Sequence, residues 1–170
     1  MKIFNLNHDT LNFNFEYNPN ETELLSQLFA NSSNITIENI RRIALWKLDR
    51  ILNISDEIIQ DLHKIAEDKS IRLTSELSLN TITALVNSEG VGFPMASTIL
   101  KFIRPDIYPI MDVRAYRALY GKKIYYNQYS LDKYLNYTKQ IYVIAQTLKI
   151  NLNTVDEQLY MFDKIYNGKI

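Results

Sequence analysis

The chain of 170 residues contains no cysteine. That excludes disulfides, thiolate-bound zinc, an iron–sulfur cluster and a thiol nucleophile. Its two histidines, His8 and His63, sit in polar settings with no second histidine at helical spacing, and both read as solvated surface groups. No metal and no cofactor is expected. No apolar run approaches the roughly 20 residues of a membrane span, and the opening MKIFNLNHDT has no apolar stretch ending in a small-residue cleavage site. The expectation is a soluble, cytoplasmic protein with no membrane partner. Neither sign of charge dominates, with 19 basic and 19 acidic side chains, so no global field draws the chain onto nucleic acid or membrane. Glycine is scarce as well. There are four in the whole chain, and two of them flank a single valine.

By length the chain is one domain, or one compact domain built of two lobes, with room for its own core. Residues 11–17, LNFNFEY, alternate apolar and polar, the period of a half-buried strand. They mark residues 1–20 as an N-terminal arm with a short strand. Beyond residue 20 the period changes to three and four. Ile37, Ile40, Ala44, Leu48 and Ile51 form one apolar stripe, and Ile58, Leu62, Ile65 and Ala66 another behind a Ser55 N-cap. Leu131, Leu135, Thr138, Tyr142, Ala145 and Leu148 predict a long helix, and Val155, Leu159, Phe162 and Tyr166 a last one. The fold class is therefore mainly α. With no repeat and no Gly/Ser linker, residues 21–170 read as one helical domain.

The most informative stretch is residues 88–121, SEGVGFPMASTILKFIRPDIYPIMDVRAYRALYG. A helix ending near Asn87 runs into Gly90-Val91-Gly92, and Pro94 opens a second helix reaching about Arg104. Glycine permits positive φ and close backbone approach. Gly-Val-Gly thus predicts a tight hairpin whose amides, with the next helix N-terminus, can point at one phosphate. Taken alone, such a turn is more often simply a turn. Residues 101–123 add six basic side chains (Lys101, Arg104, Arg114, Arg117, Lys122, Lys123) against Asp106 and Asp112, a local +4. A neutral chain with one basic segment suits a local anionic contact.

The Gly-Val-Gly turn, Ala96 four residues after Gly92, the apolar helix face of Ile99, Leu100 and Ile103, then YPIMD and VRAYRALYG together resemble the helix-hairpin-helix DNA glycosylase superfamily. RIALWKLDRI upstream and NTVDEQLYMFDKIYNGK near the end are similar to a small branch with an 8-oxoguanine-glycosylase-type fold. The resemblance is strongest over residues 85–121. It implies a helix-hairpin-helix glycosylase-like helical domain that binds double-stranded DNA, with Gly90, Val91 and Gly92 on the DNA backbone. Met95 and Ser97, in the first turns of the next helix, and Arg114 and Arg117, with their positive charge, are expected to contact the DNA as well. It further implies that Asp112 caps a helix while facing an extruded nucleotide.

The departures are informative too. The lyase Lys expected two residues after the second hairpin glycine is Pro94, which has no amine for a Schiff base. Ser88 stands where the family usually has leucine, the familiar wedge motif is missing, and the chain is shorter than most complete glycosylases. For Asp112 two readings stand side by side. One is an N-cap, for which Asp is favoured; the other is a carboxylate that stabilises an oxocarbenium-like transition state or orients water. Upstream, Arg42, Trp46 and Arg50 are spaced i, i+4, i+8 with Lys47 beside them. They form either a stacking and phosphate-contact strip, with Lys47 as a displaced amine, or a helix edge with Trp46 partly buried and its arginines paired to acids. The second is favoured. The twelve tyrosines, Tyr125, Tyr126 and Tyr129 among them, could stack on bases, but an A/T-biased coding sequence enriches Tyr as well, so their number decides nothing. Functionally, a monofunctional DNA glycosylase, a non-catalytic DNA-binding module and a protein-interaction domain all remain open.

Overall fold

The computed structural model of the chain describes residues 2, 5, 8, 13 and 18–170. The strand expected over residues 11–17 falls, Phe13 apart, outside them. Among the described residues the fold is mainly α, as the periodicity predicts, with no β-strand and a single isolated bridge between Asn53 and Glu89. No described helix is long and apolar enough to cross a membrane.

The chain divides into two compact units, Met1–Ile51 and Leu52–Ile170, a boundary inside the stretch that reads as one helical domain. The physical reason lies in where apolar surface is buried. Among the described residues of the first unit, Leu25 is the one buried hydrophobic side chain, whereas the contiguous core runs from Leu62 to Val155.

In the first unit, α1 (Pro19–Phe29) starts with proline at a position whose N–H has no intrahelical acceptor. α2 (Ile37–Lys47) is capped by Thr36, whose Oγ1 accepts the Asn39 N–H at 3.3 Å. The two helices pack together, joined by Trp46 Nε1–H donating to Thr22 Oγ1 at 2.9 Å and by an Arg42–Glu21 ion pair. α2 forms where its stripe predicts but ends at Lys47, because Asp49 takes φ 53° and the Arg50 N–H turns back to the Leu45 carbonyl at 2.9 Å. Ile37, Ile40 and Leu48 of that stripe stand exposed.

The second unit holds α3 (Asp56–Glu67), α4 (Glu76–Asn87), α5 (Phe93–Ile103), α6 (Val113–Tyr120), α7 (Leu131–Leu148) and α8 (Leu152–Tyr166). α3 packs on α4, α4 on α5, α6 on α8 and α7 on α8 around Ile65, Ile82, Leu85, Leu100, Met111, Ile141 and Val155. Burying one such aliphatic side chain stabilises by roughly 1.5–3 kcal/mol. Arg104, nearly fully buried, closes the end of α3 by donating from Nη1 to the Ile65 and Asp68 carbonyls at 2.9 and 3.0 Å.

Candidate nucleic-acid interface

α4 ends at Asn87, and Ser88-Glu89-Gly90-Val91 make a tight turn closed by the Val91 N–H on the Ser88 carbonyl at 3.1 Å. Gly90 takes φ 77°, a conformation costly for a residue with a Cβ. Val91 is buried in the core and anchors the turn from beneath. Gly92, at φ −96° and ψ 174°, is the N-cap of α5, and its carbonyl accepts the Ala96 N–H at 2.9 Å. Pro94 has no N–H, so the orphan donors of this first turn belong to Phe93 and Met95. Met95 is exposed. Across the turn lies Tyr126, and a Cβ added to Gly92 would sit 3.2 Å from Tyr126 Cε2.

Asp112 is delivered beside α5 by a loop whose backbone groups are closely held. The Met111 N–H donates to Ser97 Oγ at 3.1 Å, and that hydroxyl donates to the Pro94 carbonyl at 3.0 Å. Buried Asp156 accepts the Ile110 N–H at 2.7 Å. On the other side, Tyr134 and Tyr137 of α7 donate their hydroxyls to the Pro109 and Ile110 carbonyls at 3.1 and 2.9 Å. The arm ends at Asp112, which caps α6 by accepting the Ala115 N–H on Oδ1 at 2.7 Å. Burial pushes the Asp112 carboxyl above its ordinary range, opposed by the Ala115 and Arg114 amides and the Arg114 charge, and reinforced by the Asp156 charge. Phe93 stacks on Tyr129 with ring centroids 6.2 Å apart, tying the start of α5 to the segment before α7. The Tyr129 hydroxyl is enclosed without a hydrogen-bond partner among the described residues, and burial, with the Asp112 charge next in weight, pushes it up to about 12.

Asp112 opens onto a cavity of about 280 Å³ lined by Ile110, Ala115, Asp156, Glu157, Tyr160 and Met161. That is just under the roughly 300–1,000 Å³ of small-ligand pockets. Two of its acids hold a buried cation. Lys101 Nζ donates to both Asp156 oxygens at 2.7 and 2.8 Å and to Glu157 at 2.9 Å.

The remaining residues singled out in the sequence lie as follows. Ser97 is buried, and its hydroxyl braces the Asp112 arm instead of facing outward. Arg114 and Arg117 converge on buried Asp163, Arg117 through Nε at 2.7 Å and Nη2 at 2.8 Å, Arg114 through Nη1 at 3.1 Å. Both also donate to carbonyls of residues 167–169, so these guanidiniums clamp the end of the chain to α6. Of the six cations in residues 101–123, Lys101, Arg104, Arg114 and Arg117 are thus ion-paired. Lys122 is exposed and Lys123 partly so. Lys47, Trp46 and Arg50 belong to the first unit and the hairpin and Asp112 to the second. Trp46 is half-buried, Arg42 pairs with Glu21, and Arg50 lies past the end of α2, so the three side chains do not all stand on one helix.

Sequence reasoning did not single out Asp156, Tyr134, Tyr137 or the packing of Tyr126 on Gly92. One signal was available: Lys101 inside the apolar run STILKFI, since a charge on a buried face requires a partner. No family model, curated protein or solved structure matches this chain.

Proposed function

We propose that the chain binds double-stranded DNA through the Gly90-Val91-Gly92 hairpin and hydrolyses an N-glycosidic bond beside Asp112, without cleaving the strand. The observation that carries this reading is the bracket from Met111 N–H to Ser97 Oγ. It fastens the Asp112 arm to the helix that begins at the hairpin, so one rigid body holds a phosphate-binding turn and a partly desolvated carboxylate at a cavity. In the reaction the C1′–N bond breaks with its electron pair leaving on the base. Asp112 stabilises the positive charge on the sugar, water oxygen bonds to C1′, and the water proton passes to Asp112 and then to solvent or the departing base. Pro94 supplies no amine, so the product is a free base and an intact abasic strand.

The acidic lining supports a second reading. Asp156 and Glu157 share the cavity with Asp112, and three carboxylates, two of them paired to a single lysine, disfavour a phosphate-bearing nucleotide. On that reading the hairpin serves a non-catalytic DNA-binding module. Base release from duplexes carrying single lesions, compared between wild type and Asp112→Asn, separates the two. The first reading expects release by wild type and a loss of about 10²–10³-fold in the variant. Asn is a good N-cap, so folding and DNA binding persist. Release at the wild-type rate from Asp112→Asn removes the proposed role of the carboxylate. No release from any lesion, with binding intact, leaves the non-catalytic module.

A further inference from the structure

Residues 121–130 link α6 to α7, and they display two tyrosines to solvent. Tyr108, Tyr134 and Tyr137 are buried, whereas Tyr125 is 63% and Tyr126 82% exposed. These two rings are not on a slack loop. A single turn of 3-10 helix, Tyr126–Gln128, holds them, closed by the Gln128 N–H on the Tyr125 carbonyl at 2.8 Å and the Tyr125 N–H on Gln128 Oε1 at 3.0 Å. Lys133 Nζ donates to the Gln128 carbonyl at 2.6 Å and fixes the turn to α7. Next to the tyrosines stand Lys122 and Lys123, the two cations of residues 101–123 outside the ion pairs described above. The edge of the Tyr126 ring lies against Gly92, so the exposed aromatic face borders the hairpin itself.

We propose that Tyr126, with Tyr125 beside it, is a stacking platform for an unpaired base on the DNA strand held at the hairpin, with Lys122 and Lys123 on the neighbouring phosphates. The inference rests on the hairpin reading above and names the kind of DNA preferred: duplex with an unstacked nucleotide over fully paired duplex. A preformed aromatic surface with two cations that form no ion pair among the described residues suits a base and its phosphate, because every base presents a π-face and the lysines meet the adjoining charge. A base within intact duplex has both faces covered by its neighbours and cannot reach the ring.

The test compares dissociation constants, at one ionic strength, for a labelled duplex with a single bulged adenine and for the same duplex without it. Wild type is expected to favour the bulged duplex by roughly five- to 150-fold, the range for one stacked base. Tyr126→Ala should bring the ratio close to one while leaving fully paired duplex binding unchanged. Tyr126→Phe keeps the ring and should keep the preference. A preference that survives Tyr126→Ala, or a wild-type ratio of one with duplex binding intact, overturns the platform and leaves the hairpin reading standing. Equal weakening of both duplexes by Tyr126→Ala also overturns it, because the ring would then act only through Gly92. If wild type binds neither duplex, both readings fall together.

Discussion

At Gly90 the backbone turns through φ 77°, where a Cβ is poorly tolerated, whereas Gly92 at φ −96° has a conformation open to any L residue. Gly90→Ala should therefore lower stability by about 1 kcal/mol or more, from the roughly 1–2 kcal/mol cost of a left-handed non-glycine residue. Gly92→Ala should stay within about 0.5 kcal/mol of wild type, since its new Cβ meets only the edge of the exposed Tyr126 ring, which relieves the contact by a small shift without leaving its place. Urea denaturation of both variants checks this, and equal losses would show that Tyr126 is as fixed as the backbone. The pair also serves as a control for binding. Gly92→Asp adds the same Cβ plus a charge, so on the proposed hairpin reading any loss of duplex binding beyond that of Gly92→Ala is the repulsion expected from a bound phosphate. In the sequence the two glycines look alike, because spacing marks a turn but does not say which residue carries the positive φ.

Helix α6 is held at both ends by groups of opposite kind. Asp112 caps its start, and Arg117, in its last turn, meets Asp163 of α8 together with Arg114. The cap was legible in the sequence, since Asp112 follows an apolar run and precedes VRAYRALY. The clamp was not, because its acid lies 46 and 49 residues away from the arginines, beyond the reach of local periodicity. For the same reason the sequence shows the positive charge of Arg114 and Arg117 but not their pairing with Asp163. The Arg117 guanidinium, assisted by Asn167 and Arg114, holds the Asp163 carboxyl down to about 2. A lowered carboxyl pKa contributes stability above its unfolded value of 3.8 and loses it as pH falls from there toward 2. Asp163→Asn should cost about 3–5 kcal/mol at pH 7, leaving two guanidiniums unpaired in a half-buried site. The gap between variant and wild type should narrow as pH drops through that window. Urea midpoints at pH 7 and pH 3 measure it, and a gap that does not change with pH would mean that the carboxylate charge is not what holds α6 to α8.

Most helix positions of the molecule followed from apolar spacing, from Ser55 before α3 to Tyr166 at the end of α8. The division at Ile51 did not follow, because the stripe Ile37, Ile40, Leu48 reads as core-facing in one dimension and stands exposed in three. The site was half legible: the hairpin and Asp112 were in view, while the tyrosines and Asp156 that hold the arm between them depend on packing no spacing reveals. One consequence reaches the thermodynamics of association. In the second unit, Lys101, Arg104, Arg114 and Arg117 face Asp106, Asp156, Glu157 and Asp163, four cations against four acids. Cations already neutralised inside the protein displace no ions condensed on the duplex. With Lys122 and Lys123 as the contributors from this segment, a plot of log K against log salt should have a slope of about −2, at roughly −0.9 per phosphate met. Six free cations would give about −5. Raising salt from 50 to 200 mM should then weaken duplex binding by about tenfold, not by a thousandfold or more. A slope of −5 or steeper would mean that the internal pairs open when DNA arrives. A slope near −2 would mean that duplex association rests on the fit of the hairpin turn, with long-range attraction playing a minor part.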